Sequence, residues 1–200
     1  MMGQLTWSEV PTLRGAGSLL LLMGCFGIGW SMMMADSWTT PVMVILAVVF
    51  IALAVCFYVF GILTMRRLRL WAKAHAPRPA EVIAQGRKAS RNFIILFGTE
   101  IVLIGAAVFI CHVVGHVEFV IPLCVLIMGA HFVPFAFAYH RRFDYLPGIL
   151  AILVGIAGIA AVAGGADQDR VLAMLGLGAV CCTTIYGFHG IWLSRKLSRD

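Results

Sequence analysis

The chain has 200 residues, of which 62% are hydrophobic and 12% charged, with a mean hydropathy of +0.98 and a formal net charge of +6. Soluble domains run about 45–50% apolar and about 25% charged, so a compact soluble fold of this length has no interior large enough for these side chains. A bilayer solvates them directly. The positive balance does not indicate nucleic acid, because the basic residues border hydrophobic runs, where topology and anionic lipids account for them.

Six apolar runs lie at about residues 18–36, 42–64, 93–114, 119–139, 146–164 and 171–193. Each approaches the roughly 20 residues that a helix needs to cross hydrocarbon. The expectation is an all-α, polytopic integral membrane bundle of six transmembrane helices, forming one transmembrane domain over residues 1–200.

In the first run Gly24 and Gly27 offer a small packing notch. Met32, Met33 and Met34 point three ways around a helix, so they cannot converge on a copper ion and are expected to face lipid. Arg14, the apolar run 19–30 and "MMADS" also imitate a secretory signal cleaved after Ala35. Retaining the run gives an even number of spans consistent with the charges.

After the second run comes "MRRLRLWAKAHAPRPAEVIAQGRKASRN", residues 65–92. It reads as a basic loop holding an interfacial helix broken at Pro77 and Pro79, with anionic lipid as its partner. Its Arg66, Arg67, Arg69, Lys73, Arg78, Arg87, Lys88 and Arg91 fall on one side of a six-span chain, together with Arg14, Arg141, Arg142, Arg195, Lys196 and Arg199. Of the basic residues only Arg170 is across the membrane. Lys and Arg near span ends are retained in the cytoplasm, so both termini are expected there.

The third run carries Glu100, an acid deep in a span, and a seven-residue stripe of Gly98, Gly105 and His112. The fourth carries His131 and Pro134 within "MGAHFVPFAFAY". A hairpin turning at Gly115 and His116 puts Glu100 and His131 at equal depth, roughly 10–12 Å from the cytoplasmic edge at about 1.5 Å per residue. Such a pair serves as polar glue between helices or shares a proton. Pro134 removes a backbone donor and crowds the carbonyl of Ala130, so a kink is expected beside His131, whose ring is also able to bond a freed carbonyl.

In the fifth run Gly148, Ala151, Gly155 and Gly158 draw a stripe of small residues down one face, as do Gly176, Ala179, Thr183, Gly187 and Gly190 in the sixth. Small residues permit close helix contact in lipid, so these two helices are expected to pack against each other. Cys182, Tyr186 and His189 share a face in the cytoplasmic half of the sixth run. Tyr186 and His189 are expected to join Trp192 in an interfacial aromatic belt, with an inner vestibule that includes Cys182 as the alternative.

At the outer end of the third span, His112 and His116 are four apart on one helix face, with Glu118 next to them and Asp36, Asp167 and Asp169 on neighbouring outer loops. This is a weak metal pattern, and no metal is assigned. The histidines lie at unequal depths, which disfavours bis-histidine haem, and no cofactor is expected. Cys25, Cys56, Cys111, Cys124, Cys181 and Cys182 all fall in runs without CxxC spacing and read as packing residues. No phosphate loop, nucleophile elbow or dinucleotide fingerprint is present, so no enzyme activity has residues behind it.

"GAHFVPFAFAYHRRFDYLPGILAILVG", residues 129–155, resembles a Gly-x-His-Phe-x-Pro segment of small multi-pass bacterial membrane proteins without an assigned activity. The matching positions are Gly129, His131, Phe132, Pro134, Tyr145 and Gly148, and the likeness covers about one eighth of the chain. It departs from the pattern by inserting the basic "YHRR". The resemblance implies a bacterial inner-membrane protein.

The leading expectation is small-solute or proton-linked transport around Glu100 and His131. The alternative is a membrane scaffold or regulatory subunit, whose polar residues lock helices and whose glycine stripes meet a partner or a second copy.

Overall fold

The structure is a computed structural model that describes residues 6–37, 41–75, 77–139 and 141–196. His140 and Arg199, which entered the charge and motif patterns, lie outside the described residues, as do the side chains of Asp36 and Lys196. Among the described residues there are six long helices: α1 (Val10–Ser37), α2 (Pro41–Ala74), α3 (Ala80–Val114), α4 (Val120–Ala138), α5 (Tyr145–Ala163) and α6 (Gln168–Lys196). All six are long and apolar enough to cross a membrane. Lipid offers no hydrogen bonds, so the helix is what satisfies each backbone group within its own segment.

The helix ends follow local chemistry. Pro41 opens α2 at a position where its missing N–H costs nothing. The α3 helix stops at Gly115, whose φ of 77° lets its N–H reach the carbonyl of His112 while the His116 N–H reaches Cys111. Asp167 caps α6 by accepting the Arg170 N–H through Oδ1 at 3.1 Å.

The basic segment 65–92 is not a long loop. Helix α2 continues to Ala74 and α3 starts at Ala80, so only five residues around Pro77 and Pro79 connect them. Their 34 and 35 residues correspond to about 50 Å each, well beyond a hydrocarbon core of about 30 Å. The charged residues ride on these helical extensions, because Leu68, Trp71 and Ala72 find an apolar partner in Val10 and Leu13 of α1. Trp7 closes that cluster, its ring 4.9 Å from Trp71.

Helix α6 is the hub, touching α1, α2, α4 and α5. Its glycine stripe does not mate with that of α5. Gly176 faces Trp30 and Met34, Gly190 faces Leu20, and Gly187 faces the ring of Phe57. The α5 stripe is spent mainly on α4, where Gly148 meets Phe132 and Gly155 meets Leu126. Helices α5 and α6 still touch, through Gly158 against Leu175 and Gly178 against Val154. A hub with several neighbours spends its small residues on different partners, so Gly187 and Gly190 receive side chains while Gly176 lets the α1 backbone come close.

Met34 is a second departure from expectation: it is fully buried against α6, while Met32 faces outward. Gly24 and Gly27 do form a notch, filled by Tyr58 and Ala54 of α2. On α3 the expected stripe has no partner, since nothing lies within 4 Å of a methyl group built at Gly98 or Gly105. Helix α3 leans mainly on α4, meets α1 sparsely and makes almost no contact with α2, its neighbour in sequence. It is splayed from the bundle.

Candidate functional site

The splaying of α3 leaves a cavity of about 810 Å³ bounded by α1, α3, α4 and α6. Its walls are largely apolar, with Leu22 and Phe26 from α1, Phe93 and Phe97 from α3, and Phe132 and Phe135 from α4. Arg14, Arg78 and Arg87 line it among exposed residues, marking a basic mouth. Glu100, His131, Cys182 and Tyr186 line it deep in the bundle.

Glu100 and His131 meet. The imidazole Nδ1 lies 3.3 Å from Glu100 Oε1, with side chains 16% and 7% exposed for His131 and Glu100 respectively. The same Nδ1 is 2.6 Å from the Met128 carbonyl oxygen. A carbonyl only accepts, so Nδ1 carries the hydrogen and donates it to Met128, with the carboxylate as a second, less well aligned acceptor. The Ala130 carbonyl freed by Pro134 is therefore not the ring's partner, and α4 continues unbroken through Pro134. Phe132 and Phe135 hold the imidazole from two sides, with ring centroids 4.5 and 5.1 Å away.

The second carboxylate oxygen, Glu100 Oε2, is buried and has no hydrogen-bond partner. An orphaned polar atom in low dielectric costs roughly 1–3 kcal/mol, and more if charged. Here it belongs to a residue that also lines the cavity.

A second polar cluster flanks the mouth. Tyr186 donates its hydroxyl to Asp144 Oδ1 at 2.5 Å, and Arg141 Nε lies 3.2 Å from Asp144 Oδ2. Arg141 Nη2 also reaches Tyr186 Oη at 3.5 Å. Asp144 is wholly buried in a short 3-10 turn, Arg142–Asp144, between α4 and α5. The cluster thus ties the end of α4 to α6. Tyr139 adds a tie from α4 to α3, donating its hydroxyl to the Ala89 carbonyl at 2.9 Å.

The sequence candidates separate accordingly. Cys182 and Tyr186 reach the cavity, and Tyr186 is a buried hydrogen-bonded residue instead of a belt aromatic. His189 stacks on Phe143 at 3.9 Å and sits outside the lining. His112 and His116 do not share a helix face, because the left-handed turn at Gly115 takes the chain off the helix first. His112 pairs with the Val108 carbonyl and His116 with Glu118, and no metal-sized group of three ligands forms among the described residues. The six cysteines are all free; Cys111 and Cys182 are buried, Cys25, Cys56 and Cys181 exposed.

Sequence reasoning missed Asp144 and treated Arg141 only as a topology charge. An acid three residues after an arginine at a span boundary, in "RRFD", was the available signal. Compared with family models, characterised proteins and solved structures, the chain matches none.

Proposed function

We propose that the chain is a multi-pass transporter of a bacterial inner membrane that moves a small solute in a proton-linked manner, with its basic end and both termini in the cytoplasm. The observation that carries the reading is Glu100, a cavity-lining residue with one carboxylate oxygen buried and unpartnered, in a cavity that extends to exposed arginines. A carboxylate kept for packing alone is expected to have both oxygens satisfied. Orientation rests on the positive charges of α2, α3 and the Arg141–Arg142 turn.

In this reading Glu100 accepts and releases the coupling proton. His131 Nδ1–H, held by Met128, steadies the carboxylate, and the imidazole Nε2 offers a second proton site. The solute occupies the aromatic-walled space between this pair and the mouth. The competing scaffold reading draws on the outer face of α3, where Gly98 and Gly105 leave room for another helix.

Infrared difference spectroscopy of the protein in nanodiscs tests the proposal. A carboxyl band should change with bulk pH, shift promptly in deuterated water and vanish in Glu100→Gln. A Glu100 band insensitive to pH and deuterium contradicts it.

A further inference from the structure

We infer that the cavity binds a single-chain amphiphile with an anionic head, carboxylate or phosphate, admitted sideways from the leaflet at the basic end. The inference rests on the reading of this cavity as the working site and names its substrate class.

Three observations point the same way. The charges that line the cavity are Arg14, Arg78, Arg87 and Arg141 against Glu100 alone. Arg141 has Asp144, while Arg14, Arg78 and Arg87 have no carboxylate partner among the described residues. A mouth of that sign concentrates anions and repels cations. Next, the space behind the arginines is walled by Leu19, Leu22, Met23, Phe26, Phe93 and Phe97. A small hydrophilic anion gains nothing from that wall, but an alkyl chain loses its contact with water along it. Finally, α2 and α3 make almost no contact and α1 and α3 meet sparsely, so one side of the cavity is fenced by lipid instead of protein. An amphiphile already in the leaflet, with its head at the level of the arginines, needs no aqueous path. About 810 Å³ falls within the roughly 300–1,000 Å³ typical of sites for one small molecule.

The test uses Gly86→Cys in an otherwise cysteine-free chain. Gly86 lines the cavity and has nothing within 4 Å of an added Cβ, so the thiol fits. Protein in phosphatidylcholine nanodiscs is labelled with maleimide alone or with palmitate, a sixteen-carbon lysophosphatidate, hexadecylammonium or inorganic phosphate. Palmitate or the lysophosphatidate, or both, should slow labelling about tenfold or more, and which of them does so assigns the head to carboxylate or phosphate. Hexadecylammonium and inorganic phosphate should leave labelling unchanged.

The half-protecting concentration should rise about thirtyfold in Arg78→Gln/Arg87→Gln, the effect of two arginines on an anionic head. It should not move in Arg66→Gln/Arg69→Gln, which removes equal charge from exposed positions on α2 outside the cavity. Equal protection by hexadecylammonium, protection by phosphate alone, no protection by either anionic chain, or no change in Arg78→Gln/Arg87→Gln overturns the inference. The assay imposes no proton gradient and reads occupancy of the cavity alone, whereas the proton-linked reading is judged by the Glu100 carboxyl band. Its failure is therefore separable from failure of the proton-linked reading.

Discussion

Gly129 lies two residues before His131, and its replacement by alanine tests whether the α4–α5 seam carries the site. A Cβ there would sit 2.5 Å from the backbone nitrogen of Ile152, with Ala151 C and Gly148 O each 2.9 Å away. All three are backbone atoms of α5, so no side chain can swing aside. Restoring contacts of about 3.5 Å requires the helices to part by about 1 Å. The same seam is equally close at Gly148 and Gly155, where an added Cβ would sit 2.8 Å from Phe132 Cβ and 2.7 Å from the Leu126 nitrogen, and the contacts along it loosen together. Gaps of 0.5–1 Å forfeit about a quarter to a half of each dispersion well, and overpacking costs about 1–3 kcal/mol. The loss should reach about 3 kcal/mol, at the top of that range. Gly98→Ala is the control: with open space around it, stability should be unchanged or rise by up to about 1 kcal/mol through helix propensity. Reversible unfolding in mixed micelles reads both. Gly129→Ala as stable as the native chain, or Gly98→Ala equally damaging, refutes the reasoning.

Tyr186→Phe removes the donor to buried Asp144 and should cost about 1–3 kcal/mol in the same unfolding assay, whereas Tyr58→Phe, on an exposed position, should cost almost nothing. Asp144→Ala leaves Arg141 without its carboxylate; because Arg141 is 29% exposed, the loss should fall below the 3–5 kcal/mol of a fully buried broken pair, at about 2 kcal/mol. Glu9 accepts hydrogen bonds from the Thr6 N–H and hydroxyl, both at 2.8 Å, and these hold its carboxyl below the ordinary carboxylate range. A depressed folded-state value means that the contribution is present above the unfolded-state value and is lost as pH falls through the folded one. Amide protection factors in the first turn of α1, taken relative to intrinsic exchange at each pH, should accordingly fall at acid pH in the native chain and show no such step in Glu9→Gln.

The six spans were legible because 18 or more apolar residues leave a chain few alternatives, and the depth match of Glu100 and His131 followed from helix rise and one turn. Span lengths on the basic side were less legible. The Arg-rich sequence after Met65 suggests a loop, yet Leu68, Trp71 and Ala72 form a stripe that only a continuing helix presents to Val10 and Leu13. That α5 and α6 touch was legible from their small residues, but the partner of each glycine was not: spacing tells which residues share a face, while the partner depends on where α6 sits among four neighbours. His112 and His116 show the limit of periodicity, since a left-handed Gly115 between them cancels the shared face. Asp144 was overlooked because hydropathy treats a span boundary as solvated, whereas the short turn after α4 folds it inward onto Tyr186.

Water access to position 131 tests most directly whether the buried pair is a working site. A single cysteine replaces His131 in a cysteine-free chain, and membrane-impermeant thiol reagents are applied from each face of sealed vesicles. Labelling from the face bearing Arg14, Arg78 and Arg87, and not from the other, is the expected result for a cavity that reaches from that basic mouth to Glu100. Complete protection from both faces, in protein that unfolds with native cooperativity, would mean a dry contact between helices and would contradict a transport site there.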